Sequence, residues 1–426
     1  MYFGAYDATH GRELWKSDGT AAGTVLVKDI SPGPDGSGPS RLTAVGSMLF
    51  FAVNDGEHGR ELWRSDGTAA GTVLVQDISP GPDGSGPSWL TAMGSMLFFA
   101  ASDAMHGREL WRSDGTAAGT VLVRDINPGL DGSIAEELRF DPGIVAAVPG
   151  TLYFAADDGV RGTELWKSDG TESGTVLVKN VRPGTTGSNP STLSDVSGTL
   201  LFFARDGTHE RELWRSDGSA AGTMLVKDVH VQQNPTGTLW YSDFVAVVDG
   251  HLYFHADDGT YGHELWRSDG TESGTILVKD IYPGAGTSYP SYLTESGGSL
   301  YFSARDTVHG HELWRSDGTD AGTLLVKDIW PGGYGNQVTH LTSVSGRLFF
   351  FADDSTHGRE LWSSDGTDAG TYLVKDISPG FSYPTRLTEM DGLLYFQLKR
   401  LHTDRVQLWT SDGTEDGTVL VATFQR

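Results

Sequence analysis

The chain has 426 residues, a formal net charge of −25 and no cysteine. The negative charge argues against nucleic acid or an anionic membrane surface as a partner, because both favour clustered lysine and arginine. Without cysteine there is no disulfide, no thiolate nucleophile and no cysteine-ligated metal. The sequence also lacks an apolar run of about 18 residues, so we expect no membrane insertion.

One segment, Glu-Leu-Trp-x-Ser-Asp-Gly-Thr, recurs through the whole chain, and its first residue is the motif glutamate. The step between the first two copies is 48 residues, and a period in this range indicates a repeat architecture. Because repeats that contact their neighbours can form one body, we expect a single domain over residues 1–426, built of nine repeats. The motif glutamates are Glu13, Glu61, Glu109, Glu164, Glu212, Glu264, Glu312 and Glu360, with Gln407 in the ninth copy.

The chain begins inside the repeat pattern. Residues 2–5 correspond to the middle of a strand in later copies, so we expect no signal peptide in this chain. We therefore expect either that the chain was cut from a longer one or that it begins with an incomplete repeat.

Residues 41–78 contain the predicted strands of one repeat. Short β-compatible segments at 41–45, 48–53, 60–64 and 73–78 are separated by turns, which predicts four antiparallel strands. The second segment is continuously apolar and the third places Leu62 and Trp63 on opposite faces, so both faces of the sheet need cover. The turn before the fourth strand combines an aspartate that accepts backbone N–H groups with glycines that tolerate positive φ.

Antiparallel sheets that are covered on both faces stack between like sheets and close into a ring. The sequence therefore predicts an all-β fold, a β-propeller of four-stranded antiparallel blades. We favour nine blades, with the first blade lacking its own first strand. Eight closed blades with a surplus unit, or an open β-solenoid, are the alternatives.

The repeated motif resembles a known family. Glu-Leu-Trp-x-Ser-Asp-Gly-Thr followed by Gly-Thr-x-Leu-Val-Lys-Asp-Ile, as at residues 13–30, is similar to the bacterial ELWxxDGT repeat family over essentially the whole chain. The chain departs from the pattern at Gln407 and Ser219. The second strand also resembles that of kelch-like blades, and the turn resembles the Asp-box of sialidase-type propellers. These resemblances imply a propeller located extracellularly or on a bacterial cell surface, and they imply no particular activity.

Strand direction predicts where function lies. The loops after the second and fourth strands emerge on one face, the variable loop face, and the uniform Ser-Asp-Gly-Thr turns emerge on the other. Loop-borne function is therefore expected on the variable loop face.

A histidine stands three residues before the motif glutamate in six copies, and we consider these residues candidate ligand contacts. Equivalent loops of stacked sheets lie roughly 10 Å apart, whereas zinc ligands lie about 2 Å from the metal, so a shared metal site is disfavoured. A hydrogen bond across its own loop is the alternative role for each histidine. We expect no cofactor; calcium at acidic pairs such as Asp157-Asp158 is the alternative, although the usual calcium-loop spacing is absent. The histidines are His10, His58, His106, His209, His309 and His357.

Aromatic residues in or beside the loops before the first strands form a second candidate set. Such rings can stack on sugars or anchor a protein partner, or they can pack onto the Pro-Gly loops. The candidate contacts are Trp89, Trp240, Trp330 and Tyr282, with Tyr241, Tyr289, Tyr334 and Tyr383 nearby.

The sequence leaves three functions open. The favoured one is a non-catalytic binding, adhesion or scaffolding propeller for carbohydrate or a surface protein, acting as a monomer without nucleic acid. The second is a glycan hydrolase or lyase that uses carboxylates such as Glu136, Glu137 and Asp243 in two irregular connections, residues 127–148 and 230–248. The third is a purely structural repeat spacer.

Overall fold

The computed structural model describes residues 1–134, 145–229, 244–332, 338–377, 382–400 and 405–425. Every regular element in these ranges is a β-strand, and the strands form nine antiparallel sheets. The predicted fold class is confirmed: the protein is an all-β, nine-bladed β-propeller in which each sheet is one blade. The chain divides into two compact units, Met1–Leu225 and Val226–Arg426. The expectation of a single domain stays a prediction.

The strands follow one another in chain order within each sheet. The first sheet contains β1 (Tyr2–Asp7), β2 (Gly11–Lys16) and β3 (Val25–Lys28). The second contains β4 (Ser40–Val45), β5 (Met48–Asn54), β6 (Arg60–Ser65) and β7 (Val73–Gln76). The third contains β8 (Ser88–Met93), β9 (Met96–Asp103), β10 (Gly107–Ser113) and β11 (Val121–Arg124). The fourth contains β12 (Val145–Val148), β13 (Thr151–Asp157), β14 (Thr163–Ser168) and β15 (Val176–Lys179). The fifth contains β16 (Ser191–Val196), β17 (Thr199–Ala204), β18 (Glu212–Ser216) and β19 (Met224–Lys227).

The remaining four sheets have the same order. The sixth contains β20 (Val245–Val248), β21 (His251–Ala256), β22 (Glu264–Ser268) and β23 (Ile276–Lys279). The seventh contains β24 (Ser291–Ser296), β25 (Ser299–Arg305), β26 (His311–Ser316) and β27 (Leu324–Lys327). The eighth contains β28 (Thr339–Val344), β29 (Arg347–Asp353), β30 (Arg359–Ser364) and β31 (Tyr372–Lys375). The ninth contains β32 (Ser382–Met390), β33 (Leu393–Arg400), β34 (Arg405–Ser411) and β35 (Val419–Gln425).

The predicted strands of the second repeat agree with β4 to β7 to within one residue, except at the end of the fourth strand. The fourth strand stops at Gln76 instead of 78, because the chain turns away to bring the Ser79 N–H within 3.1 Å of Glu61 Oε1. Within the described ranges the first sheet has three strands, as expected for a blade without its own first strand.

Apolar side chains from consecutive sheets pack together within each unit. Leu14 and Val27 of the first sheet lie in one buried cluster with Phe51 and Trp63 of the second. Equivalent clusters join the second to fifth sheets in the first unit and the sixth to ninth sheets in the second. Burial of this apolar area is the main stabilising term for such a sheet stack, and it explains why the second strands are apolar on both faces.

Candidate functional site

The Ser-Asp-Gly-Thr turns form a self-contained hydrogen-bonded unit. Asp18 Oδ1 accepts from the Thr20 N–H at 2.9 Å and from the Thr20 hydroxyl at 2.7 Å. Gly23 is required because an added Cβ would lie 2.0 Å from the Asp18 carboxylate. The hydroxyl of Thr20 lowers the pKa of Asp18. The same bonds recur in the other eight copies, so these turns serve folding.

The motif glutamate is buried and holds the loop that follows the fourth strand. Glu61 Oε1 accepts from the N–H groups of Ser79 and Ser85 at 3.1 and 2.8 Å, and Oε2 accepts from the Ser85 hydroxyl at 2.5 Å. Burial raises the pKa of Glu61, and it raises the pKa values of Glu109 and Glu264 to about 7. Our sequence analysis missed this role; the available signal was a serine at constant distance from the glutamate in several copies.

The ninth copy has Gln407 in place of the motif glutamate, and its strand pairing accounts for this difference. Gln407 pairs with Thr423 in the ladder between β34 and β35. Strand β35 continues to Gln425, so residues 424 and 425 stay in the sheet, whereas the equivalent Ile78 and Ser79 lie in the loop that Glu61 binds.

Each of the six candidate histidines is held by an aspartate three residues earlier. His58 Nδ1 lies 2.7 Å from Asp55 Oδ2, and the His58 N–H donates to Asp55 Oδ1 at 2.8 Å. This bond raises the pKa of His58, while burial of Asp55 is outweighed by hydrogen bonds from His58, so the pKa of Asp55 falls below its usual value. The same pairing occurs at His10, His106, His209, His309 and His357.

The bond between each histidine and its aspartate is a hydrogen bond across the loop. This is one of the two roles that the sequence left open, the other being ligand contact. In the described part of the chain, no group of three or more His, Asp or Glu residues is arranged to hold a metal ion. Ligand contact at the histidines stays a prediction.

The structure places the candidate aromatic residues in different surroundings. Trp89 lies in β8 and not in the preceding loop, is 6% exposed, and packs with Ala100, Ile134 and Ala155. Its φ of 57° marks a bulge between β8 and β9, which directs the ring into the sheet stack. Trp330 is partly buried, and its backbone N–H donates to Glu312 Oε1 at 3.1 Å.

Several candidates fall outside the described residues. These are Trp240, Tyr241 and Tyr334, together with the carboxylates Glu136, Glu137 and Asp243 of the two irregular connections; the side chain of Tyr383 is also outside the description.

Tyr282 belongs to a cluster between the sixth and seventh sheets, in the second unit. The Arg305 guanidinium lies 5.5 Å from the centre of the Tyr282 ring and 4.9 Å from that of Tyr289. Tyr289 is 48% exposed, so one of these rings is open to solvent. With the neighbouring His263 and His311, these residues are termed the Arg305 cluster.

Glu264 and the backbone position the two tyrosines. Glu264 Oε1 accepts from the N–H of Tyr282 at 3.2 Å and from that of Ser288, the neighbour of Tyr289, at 3.1 Å. An added Cβ at Gly286 would lie 1.9 Å from the Tyr282 ring, so glycine allows the ring to lie over the loop. Arg305 is bound to the same loop through its backbone N–H, which donates to Ser288 O at 3.0 Å.

In the sixth and seventh copies a histidine takes the place of the arginine that precedes the motif glutamate in five other copies. Arg60, for example, donates to Gly38 O at 3.3 Å and to Ala52 O at 3.1 Å, so it fastens its own sheet. The His263 ring instead stacks on Tyr289, with centroids 6.4 Å apart. Burial, with a smaller effect from Arg305, lowers the pKa of His311, which therefore favours the neutral form near pH 7.

A partly buried histidine lies next to the cluster. The centroid of the His255 ring is 5.7 Å from that of His263. Burial lowers the pKa of His255 to about 4, so this ring is neutral near pH 7.

The cluster breaks the repeat symmetry. Counted from the flanking motif glutamates, the equivalent positions in the first four connections carry small, polar or acidic residues, with two arginines and one isoleucine among them. In the connection after the seventh sheet, Trp330 takes the place of Tyr282 and Asp353 that of Arg305, so it is the combination of Tyr282, Tyr289 and Arg305 that occurs in one described copy. The equivalent positions in the first four connections are Ser31, Gly38 and Asn54; Ser79, Gly86 and Ser102; Asn127, Ile134 and Asp157; and Arg182, Asn189 and Arg205. A feature found in one copy is more typical of recognition than of folding.

Neither a protein-family model nor a curated protein matches the chain. Similar solved structures include a puromycin hydrolase (14% identity, TM-score 0.38), which matches 92% of this chain over 62% of its own length. A prolyl endopeptidase structure (13%, 0.44) matches 86% of this chain over 55% of its own. Prolyl oligopeptidase B from Galerina marginata (13%, 0.44) matches 79% over 49%. The chain thus spans about half to three-fifths of these enzymes' lengths.

The enzymes named in this comparison are hydrolases, not adhesins or lectins. The prediction of a non-catalytic propeller that binds carbohydrate or a surface protein is therefore wrong. No helix among the residues with described positions is long and apolar enough to cross a membrane.

Proposed function

We propose that this propeller binds peptide substrates as a component of a peptidase-type hydrolase, and that it holds them at the Arg305 cluster. The observation that carries the proposal is the stacking of Tyr282 and Tyr289 against Arg305 in a single copy of the repeat. The names of the similar solved structures support the enzyme class. The side chains of the Arg305 cluster support peptide as the ligand.

Tyrosine and arginine suit peptide recognition. A tyrosine ring offers a flat apolar face for proline or an aromatic side chain and a hydroxyl for a peptide carbonyl, at a low cost in conformational entropy. Tyrosine and arginine are also enriched among the residues that dominate binding energy. Tyr289, with 48% of its surface exposed, supplies such a face at the edge of the loop.

The cluster is assigned to binding and not to bond cleavage. The neighbouring hydroxyl of Ser288 donates to Glu264 Oε2 at 2.6 Å, so it is engaged with a carboxylate instead of being activated by a histidine ring. Cleavage is accordingly proposed to occur in the part of such enzymes that this chain does not match.

Binding of a blocked peptide tests the proposal. The probe is acetyl-Ala-Phe-Pro-Phe-Ala-amide, measured by calorimetry with the complete chain. We expect binding by the wild type and a loss of about tenfold or more in the double variant Tyr282→Ala/Tyr289→Ala, the size expected for two aromatic contacts. Tyr372→Ala, which removes another exposed tyrosine, is the matched control. Equal affinity of the double variant and the wild type would refute the proposal.

We also propose that the chain is a monomeric member of the bacterial ELWxxDGT repeat family that functions extracellularly or at the cell surface. Eight complete copies of Glu-Leu-Trp support the family. The net charge of −25 supports a partner other than nucleic acid.

A further inference from the structure

We propose that Arg305 recognises a carboxylate, the free C-terminal carboxylate of a bound peptide. This inference rests on the proposed function, since it names the end of the peptide that the Arg305 cluster holds. It is argued from the hydrogen bonds, neighbours and surroundings of this one guanidinium.

The terminal nitrogens of Arg305 are available to a ligand. Its Nε donates to Thr287 O at 3.0 Å. Within the described residues its two terminal nitrogens make no hydrogen bond or ion pair, and the side chain is partly exposed. Two parallel N–H groups match the two oxygens of a carboxylate, which gives a charge-assisted bidentate pair.

The acidic residue next to Arg305 is already engaged. Asp306 Oδ2 lies 2.8 Å from His309 Nδ1, and Asp306 Oδ1 accepts from the N–H groups of Val308 and His309 at 2.8 and 2.7 Å. This carboxylate is therefore used by its own loop and does not neutralise Arg305. Arginines with a structural role differ from Arg305. The terminal nitrogens of Arg60, for example, donate hydrogen bonds to backbone carbonyls and a serine hydroxyl.

The guanidinium is also held before a ligand arrives. The Tyr282 and Tyr289 rings lie on it at 5.5 and 4.9 Å, and both its main chain and its Nε are bonded to the loop at 287–288. A side chain fixed in this way loses little conformational entropy on binding, which favours affinity. An aromatic residue before the carboxylate would then meet the exposed face of Tyr289.

Matched acid and amide probes test the inference. The first pair is acetyl-Ala-Phe-Pro-Phe-Ala with a free acid or an amide at its C-terminus; the second is benzoylglycine and its amide. We expect each acid to bind about tenfold more tightly than its amide, as a charge-assisted pair provides. Arg305→Gln should abolish this difference, because it lowers the affinity for each acid more than that for its amide. Arg305→Lys, which keeps the charge but loses the fork, should restore only part of it.

Controls separate the inference from the proposed function. Arg205→Gln changes the equivalent arginine, which directly follows β17 of the fifth sheet, and should leave all four affinities unchanged, with thermal unfolding reporting the fold of each variant. Equal binding of acids and amides to the wild type would overturn the inference, while amide binding that depends on the tyrosines would keep the proposed function. Binding of benzoylglycine through Arg305 without binding of either peptide would support the carboxylate site and overturn the peptide function. Failure of all four probes would overturn both.

Discussion

Glu264 joins the folding of the repeat to the candidate site, because its Oε1 accepts the N–H of Tyr282 at 3.2 Å. The same carboxylate is fully buried and also binds Ser288, so it holds both ends of the segment that presents Tyr282 and Tyr289. A residue that recurs for structural reasons in eight copies thus positions the side chains that occur together in one.

Glu264→Gln should weaken both stability and peptide binding. The amide nitrogen of glutamine cannot accept the N–H of Ile281 as Oε2 does at 3.1 Å, and an unmade buried hydrogen bond costs about 1 to 3 kcal/mol. Urea denaturation and calorimetry with the blocked peptide measure the two effects. Glu61→Gln removes the equivalent carboxylate of the second sheet and should cost similar stability without weakening peptide binding. Undiminished peptide affinity in Glu264→Gln would show that the positions of Tyr282 and Tyr289 do not depend on the Glu264 carboxylate.

Stability should decrease as the pH rises from about 4.5 to about 7. The pKa values of Glu109 and Glu264 are raised to about 7 by burial, so in this window the folded state binds more protons than the unfolded state. Their contribution is complete below the unfolded pKa and is lost as the pH rises through the folded value. The His58 pKa is raised by Asp55, so this histidine changes stability in the same direction. His255, with its pKa lowered to about 4, acts in the opposite direction and offsets part of the decrease.

Melting temperatures measured between about pH 5 and about pH 8 check this sign. The double variant Glu109→Gln/Glu264→Gln should show a shallower pH dependence than the wild type. A wild-type melting temperature that rises steadily over this range would contradict the protonation scheme.

Removal of a motif tryptophan should cost about 3 to 5 kcal/mol, the usual range for a buried aromatic residue. Trp214 is 7% exposed and packs in a cluster with Val148, Leu165 and Val178 of the fourth sheet. Urea denaturation of Trp214→Ala measures the cost, and Val160→Ala, at a 66% exposed position, is the control with little expected effect. A small loss in Trp214→Ala would mean that packing between these sheets contributes little.

The turn of the fifth copy offers a test of non-additivity. Asp217→Ala should cost about 1 to 2 kcal/mol through lost hydrogen bonds to Ser219. Gly222→Ala should also destabilise, because its Cβ would lie 2.1 Å from the Asp217 carboxylate. In the double variant this clash is absent, so the two costs should not add. Additive costs in a double-mutant cycle would show that the glycine serves another purpose, and neither single change should alter peptide binding.

Much of the fold follows from the sequence because each repeat shows its strands through burial and turn residues. The continuous apolar run at 48–53 correctly indicated a strand covered on both faces, and Leu62 and Trp63 face different sheets. The predicted end of the fourth strand was wrong because Glu61, which is distant in the sequence, accepts the Ser79 N–H, and the chain leaves the sheet after Gln76. Local propensity does not contain that information.

The candidate site was less visible in the sequence. Tyr282 and Tyr289 could be selected as loop aromatics, but Arg305 belongs to a strand of the next repeat, and its approach depends on how the sheets stack. A signal existed, since other copies carry residues such as Asn54, Asp157 or Asp353 at this position. Trp89 shows the opposite case: a left-handed φ of 57° turns it inward, which composition and spacing do not reveal.

Mapping where a peptide binds tests the central claim most directly. The probe is acetyl-Ala-Phe-Pro-Phe-Ala with a photoreactive benzophenone in place of the first phenylalanine ring, cross-linked to the complete chain and located by mass spectrometry. We predict cross-links at residues 282–289 and 305–311, with a marked decrease in Tyr282→Ala/Tyr289→Ala. Cross-links confined to the Ser-Asp-Gly-Thr turns, or spread equally over all nine repeats, would contradict a single peptide site at the Arg305 cluster.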